Sequence, residues 1–321
     1  MSVHVRKPVD GPAMLIMTLL CLAWGAQQVA IKAIAGDVDP MMQVGLRSAI
    51  AAGLVWLVGR KIVGEAWLPG LWCRSGLIVG LLFAAEFLFI AEGLLRTTAS
   101  HMAVFLYTAP LFAAIGLHIR LPEERLGPRQ WLGIALAFIG IAITFLAPRG
   151  DTQDAAPLLQ GLLGDAMGLC AGAAWGMTTV AVRTSKLSEA PATQTLYYQL
   201  MGASLVLLPV AFITGKAGMV LNGVAWASLV FQTLVVAFAS YLIWFWMLRR
   251  YLAARLGVMA FMTPLFGVLI GMWLLDETTS DGFILGAVLS LVGLLVVNIK
   301  SAREHRSPAR CNDYALDKQS E

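Results

Sequence analysis

The chain has 321 residues, of which 59% are hydrophobic and only 13% are charged, and its mean hydropathy is +0.76. Soluble domains carry about 25% charged residues, so this composition excludes a soluble globular domain. The net charge is +4, but Lys and Arg stand in short clusters between apolar runs. This placement is typical of membrane topology signals and argues against a nucleic-acid-binding surface.

The apolar runs predict the transmembrane segments. A helix needs about 20 apolar residues to cross a hydrocarbon core of roughly 30 Å, and runs of this length recur along the chain. The first run follows a polar segment, residues 1–13, and has no small-residue cleavage site, so we expect a retained span. We predict an all-α integral membrane protein with ten transmembrane helices. They lie near 14–35, 41–59, 75–95, 97–118, 128–147, 161–185, 192–214, 223–248, 253–275 and 282–299.

The distribution of Lys and Arg predicts the orientation of these helices. If consecutive helices cross in alternate directions, 18 of the 23 Lys and Arg residues fall on one side. The positive-inside rule places that side, with both termini, in the cytoplasm. Residues 1–13 then form a cytoplasmic segment, 148–160 a periplasmic linker and 300–321 a disordered cytoplasmic tail.

The two halves of the chain resemble each other, which predicts an internal duplication. Trp24-Gly25 recurs as Trp175-Gly176 at a separation of 151 residues, and Pro110 recurs as Pro264 at 154. We predict a first repeat over 14–147 and a second over 161–299. Because each repeat has five spans, the second enters the membrane from the opposite face. Inverted repeats are typical of secondary transporters, whose substrate sites lie near the membrane midplane.

A set of residues along the chain also carries a family resemblance: Trp24, Gly25, Lys32, Leu46, Arg47, Thr97, Thr98, Ala99, Ser100, Pro110, Glu123, Gln130, Gly133 and Gly140. In these residues the sequence resembles the drug/metabolite transporter superfamily, specifically its EamA-type ten-helix members. The resemblance covers residues from about 14 to 299 and implies an inner-membrane carrier that exports or exchanges small metabolites, such as amino acids, through a cavity lined by both halves.

Two ionisable residues lie inside predicted spans. Glu86 is eleven residues past Ser75, about 16 Å along a helix, and Arg47 is seven residues past Pro40, about 10 Å below the outer surface. A charge at the bilayer centre costs at least ~2.5–3.5 kcal/mol, so it needs a partner, water or a function. Glu86 and Arg47 are therefore candidates for substrate binding or coupling. The alternative is an ion pair that only fixes helix packing.

Further candidates follow from the repeat. Gln27 and Gln28 come one turn after Trp24, and Thr178 and Thr179 come one turn after Trp175. Equivalent polar positions in both halves fit the wall of a central cavity, although hydrogen bonds between packed helices would explain them equally well. Three tyrosines complete the set of cavity candidates: Tyr107, Tyr197 and Tyr241.

Residues that bend helices are candidates for hinges. Pro110 and Pro264 each remove a backbone hydrogen bond, and Gly25 and Gly176 allow bending beside the two tryptophans. These four residues would act as hinges for gating or produce fixed bends that suit the bundle.

The chemical motifs of enzymes and pumps are missing from the sequence. There is no P-loop, GxSxG, HExxH or Cys/His metal pattern, so we expect no metal and no cofactor. The sequence thus predicts a multi-pass carrier of a bacterial inner membrane whose partners are a small-molecule substrate and the lipid bilayer, and not nucleic acid. A channel-like facilitator is the first alternative. A non-transporting membrane scaffold or an intramembrane enzyme is the second.

The predicted topology can be tested by labelling. Cysteines introduced at Asp154 and Asp281 should both react with an impermeant thiol reagent from the periplasmic side, whereas one at Arg125 should not. Protection of position 154 from the periplasmic reagent would contradict the inverted repeat.

Overall fold

The fold is all-helical, and apolar helices of membrane-crossing length dominate it. The computed structural model describes residues 10–122, 125–147, 155–251, 256 and 259–298. We number its main helices α1 (Gly11–Ala33), α2 (Pro40–Ile62), α3 (Arg74–Leu94), α4 (Ala99–Arg120), α5 (Pro128–Leu146), α6 (Ala155–Arg183), α7 (Ala192–Ile213), α8 (residues 223–250), α9 (Met262–Leu274) and α10 (Asp281–Asn298). Within this described part of the chain, seven helices are long and apolar enough to cross a bilayer. These are α1 to α5, α7 and α8.

The helix bounds follow the predicted spans to within a few residues. In the predicted span at 253–275, residues 253–255 and 257–258 lie outside the described residues, Leu256, Met259 and Ala260 are helical, and α9 begins at Met262 after a turn at Phe261. The predicted segment before residue 10, the first part of the predicted linker (148–154) and the predicted tail lie outside the described residues.

Polar side chains begin several helices at the predicted points. Asp10 accepts a hydrogen bond from the Ala13 backbone, and Asp39 accepts one from Met41. Thr98 and Asn222 cap α4 and α8 in the same way. Each cap satisfies a backbone N–H group that has no partner within its own helix, which matters most where water is scarce.

Helices α4 and α9 are interrupted at corresponding places. A turn at Tyr107 and Thr108 divides α4 just before Pro110, and a turn at Phe261 precedes α9, whose first turn contains Pro264. Proline has no backbone N–H group and its ring clashes with the preceding turn, so regular helix does not continue through it. The predicted bends are therefore present at both proline positions.

Two close helix contacts are equivalent in the two halves of the chain. A Cβ atom added to Gly25 on α1 would lie 2.8 Å from the Thr263 carbonyl oxygen at the start of α9. A Cβ atom added to Gly176 on α6 would lie 2.6 Å from the Ala109 carbonyl oxygen on α4. Only glycine allows such an approach. The glycines are 151 residues apart and their partners are 154 apart, which are the separations found in the sequence repeat.

Helices α5 and α10 pack through glycines on both sides. A Cβ atom added to Gly140 would lie 2.6 Å from the Gly286 carbonyl oxygen, and one added to Gly133 would lie 2.8 Å from that of Gly293. Small residues that let backbones meet are the usual basis of helix association in membranes, because lipid gives little hydrophobic drive between helices.

This packing predicts different effects for two Gly→Ala substitutions in transmembrane helices. Gly140→Ala should lower the free energy of unfolding by about 1–3 kcal/mol, since the new methyl group overlaps the backbone of α10. Gly53→Ala on α2 is the matched control, because a Cβ atom there has no neighbour within 4 Å. Thermal unfolding of the purified proteins in detergent measures both. A Gly140→Ala protein as stable as the control would contradict this account of the contact.

Candidate functional site

A cavity of about 430 Å³ lies between the helices of the two halves, with apolar and aromatic side chains over most of its wall. Residues of α1, α3, α4, α6, α7 and α8 and of the start of α9 line it. Nine of the predicted cavity residues are on the wall: Trp24, Gln27, Gln28, Glu86, Tyr107, Trp175, Thr178, Thr179 and Tyr241. Its size is within the range of small-molecule sites.

The cavity reaches the protein surface where α6 ends. Thr179 and Arg183, both exposed, line it where α6 ends, whereas Gln28, Glu86 and Tyr107 are buried at its inner part. We call the end formed by residues 63–71 and 184–191 the open end. We call the other end, formed by residues 34–39, 95–98, 214–222 and 275–280, the sealed end.

Backbone pairing joins two connections at the sealed end. Val38 and Met219 form an antiparallel bridge, and the Val220 backbone N–H donates to the Asp37 carbonyl oxygen at 2.8 Å. The Asn222 side chain also donates to the Asp37 carboxylate, at 2.8 Å. The α1–α2 and α7–α8 connections are thus held together across the halves.

Ion pairs and a lysine add to this closure. Glu92 pairs with Arg96 at 2.8 Å, and its other oxygen pairs with Lys216 from the α7–α8 connection. Lys32, near the end of α1, donates to the carbonyl oxygens of Leu94 and Thr97. Charged groups near water and with partners carry little cost, so the sealed end is stable as it stands.

The start of α4 is fixed by two carboxylates from the second half. Glu277 accepts hydrogen bonds from the Ala99 and Ser100 backbone N–H groups at 2.7 and 2.9 Å. Asp165 on α6 is fully buried and lies 2.9 Å from the His101 imidazole. Negative charge at a helix N-terminus is favourable, so both carboxylates stabilise the start of α4.

Glu86 is in the opposite situation, because the residue is only 5% exposed. Its Oε2 atom is buried and accepts no hydrogen bond from the residues that the structure describes. A buried carboxylate without a partner is costly and must take up a proton or a cation to be neutralised. Glu86 is therefore the candidate on the cavity wall for binding a proton or a cation.

Arg47 does not line the cavity. Its guanidinium group is buried behind the wall, 4.7 Å from the centre of the Phe87 ring and 3.5 Å from the Gln232 side-chain oxygen. Among the described residues, Arg47 and Glu86 form no ion pair within 4.0 Å. The sequence predicted that both residues lie at the depth of the cavity. In the structure Glu86 is on the cavity wall, and Arg47 is buried behind that wall.

Several other polar groups of the wall present oxygen atoms that can accept hydrogen bonds. The Thr178 and Thr179 hydroxyls donate to carbonyl oxygens one turn earlier in α6, at 2.9 and 3.4 Å, so their lone pairs remain free to accept. The Gln28 side-chain oxygen is buried and has no donor within the described part of the chain. Gln27 lies beside it on α1.

Aromatic residues form the sides of the cavity. The Trp24 indole donates to the Ser240 hydroxyl at 2.8 Å and meets the Trp244 ring edge-on at 5.6 Å. Trp175 meets the Tyr107 ring edge-on at 5.3 Å. Tyr197 is not on the wall, because it packs against Trp67 at 5.1 Å near the open end.

The hinge candidates are at the edges of this site. Gly25 lines the cavity, and Gly25 and Gly176 each follow a cavity tryptophan and make the close contacts described above. Pro110 and Pro264 follow the interruptions at Tyr107 and Phe261. Their position beside the cavity is consistent with hinges, and hinge motion remains a prediction.

Several functional candidates were missed by sequence reasoning. Asp165 is an acid ten residues into α6, and that depth was the available signal. Thr263 and Gln199 also line the cavity, and the Thr263 hydroxyl has no partner among the described residues. They are isolated polar residues in apolar helices, so only the fold brings them to the site. No group of three metal-ligating side chains occurs within the described ranges.

Comparison with known proteins gives a consistent result. The profile of the EamA-like transporter family matches residues 11–146 and 162–299. An uncharacterized transporter of Archaeoglobus fulgidus is 24% identical over 91% of this chain and 98% of its own length. A probable amino-acid metabolite efflux pump of Escherichia coli is 26% identical, over 87% of this chain and 92% of its own. A protein crystal structure shares the fold, with a TM-score of 0.64, 20% identity and coverage of 92% of this chain and all of that one.

Proposed function

We propose that this chain moves a small amino-acid-like or related amphipathic metabolite by alternating access. The chain belongs to the EamA-like transporter family, so it is a multi-pass membrane transporter and not an enzyme. The observation that carries the mechanism is the cavity, which reaches the surface at one end and is closed at the other by contacts between the halves. A binding site open to one side at a time is what a carrier requires.

The charges favour an orientation for this conformation. Arg60, Lys61 and Lys186 flank the open end, and by the positive-inside rule this end faces the cytoplasm. Both termini are then cytoplasmic, and the described conformation takes its substrate from the cell interior. That is the starting state for export across a bacterial inner membrane, and the efflux pump among the relatives supports the same direction and an amino-acid-like substrate.

The second conformation follows from the repeats. If ten helices cross the membrane as two inverted repeats, 14–147 and 161–299, each half can adopt the arrangement now held by the other. The equivalent contacts at Gly25 and Gly176 and the family match to both halves support this division. The exchange would break the contacts of the sealed end and close the open end. A channel-like facilitator is the weaker candidate, because the sealed end interrupts any continuous pore.

Alternating access predicts that locking the sealed end stops transport. Val38 and Met219 are directly opposed in an antiparallel bridge, a geometry that suits a disulfide. In proteoliposomes loaded with a panel of amino acids and amines, counterflow of the labelled compounds should fall at least tenfold in the oxidised Val38→Cys/Met219→Cys protein and recover on reduction. The Val38→Cys protein under the same oxidant is the control. Undiminished counterflow in the oxidised pair would contradict the mechanism.

Glu86→Gln separates two roles for the buried carboxylate. If Glu86 exchanges a proton against substrate, the variant should lose pH-driven accumulation but keep substrate exchange. If Glu86 holds a cationic group of the substrate, both activities should fall together. Glu189→Gln, at an exposed position in residues 184–191, is the charge-matched control. Normal transport by Glu86→Gln at all pH values would show that Glu86 has neither role.

A further inference from the structure

We propose that the cavity selects an organic amine, with the protonated amino group on Glu86 and an aromatic or apolar body against the tryptophans, and that it rejects the corresponding carboxylate. This inference rests on the proposed function for its transport role, but it concerns binding and is tested by binding. The proposed substrate class is narrower than amino-acid-like compounds, because a free carboxylate on the ligand would weaken its binding.

The first argument is the supply of hydrogen-bond acceptors in the inner part of the cavity. Glu86 Oε2 and Gln28 Oε1 are both buried and both lack donors from the described residues. The buried Thr178 has already donated its hydroxyl hydrogen to the α6 backbone. An ammonium group is all donor and carries the charge opposite to Glu86, so it satisfies these oxygens together.

The second argument is the position of the cations. Of the described residues on the wall, Arg183 alone carries a permanent positive charge, and it is exposed at the open end. The guanidinium group of Arg47 is directed to Phe87 and Gln232 behind the wall. A ligand carboxylate at the depth of Glu86 would therefore meet a second carboxylate and no cation on the cavity wall itself. Like charges at close range repel each other, and burial strengthens the repulsion.

The third argument is the aromatic wall, which suits the rest of such a ligand. Trp24, Tyr107 and Trp175 lie around the inner cavity, with Phe83 and Phe87 on α3. Their rings give apolar contact area, and their faces attract a cation that approaches them. A ligand with one ammonium group and a flat apolar body satisfies both properties of the wall at once.

A charge series with one shared body tests the proposal. The three probes share an indole ring. Tryptamine carries only an ammonium group, indole-3-propionate carries only a carboxylate, and tryptophan carries both. Binding of tritiated tryptamine to the purified full chain is measured by scintillation proximity, and the other two compete with it. We expect tryptamine to bind roughly 10- to 100-fold more tightly than either competitor, the range expected of one charge-assisted hydrogen bond. Competition by tryptophan or indole-3-propionate as strong as by unlabelled tryptamine would overturn the proposal.

Variants assign the effect to Glu86. Glu86→Gln should weaken tryptamine binding at least tenfold, whereas the exposed Glu189→Gln should leave it unchanged, and size-exclusion chromatography shows whether each variant is folded. If Glu86→Gln does not fold, the probe series on the unmodified chain still decides.

Selective amine binding without counterflow in vesicles would support this site while refuting transport. Counterflow of amino acids without amine selectivity would support transport while refuting this site.

Discussion

The approach of α1 to α9 at Gly25, and of α6 to α4 at Gly176, leaves no room for a side chain between the helix backbones. These two contacts determine where the cavity lies. Each glycine follows a tryptophan, and residues one turn further along the same helix, Gln28 and Thr179, also line the cavity. Because α4 and α9 are interrupted close to the same contacts, the cavity is bordered by the least regular backbone of the two halves. Irregular backbone inside a membrane protein is tolerated where it lines a cavity.

Carboxylates at the sealed end and the carboxylate in the cavity differ in their hydrogen-bonding partners. At the sealed end, Glu92, Glu277 and Asp37 all have hydrogen-bonding partners. In the middle, Glu86 has none within the described residues. Membrane proteins pay for an unpaired buried charge, and this cost is expected only where function requires it. This contrast supports the proposal that the paired groups hold the sealed end together and that Glu86 meets a ligand.

The sequence predicted the helices well because their signal is local. Apolar runs and prolines are read along the chain, so most helix bounds agree to within a few residues. The repeat also predicted part of the site, because Trp24 and Trp175 have the same neighbours in the sequence. Depth along a helix does not reveal the direction in which a side chain points or which helices border the cavity. Tyr197 therefore falls outside the cavity although α7 lines it, and Arg47 lies on α2, from which no described residue reaches the wall. The pairing of His101 with Asp165 joins residues 64 positions apart, and only the fold brings them together.

The single unpaired carboxylate has a consequence for coupling. A proton and an ammonium group both neutralise Glu86, and both occupy the same oxygen atoms, so they cannot bind there together. Ligands that compete for one site are exchanged and not carried together. The empty cavity with a charged Glu86 is the costly state, and a conformational change that keeps water out is easier once either cation is bound. With one carboxylate in an aromatic cavity, the proposed carrier would link the outward movement of an amine to the inward movement of a proton without a second binding site.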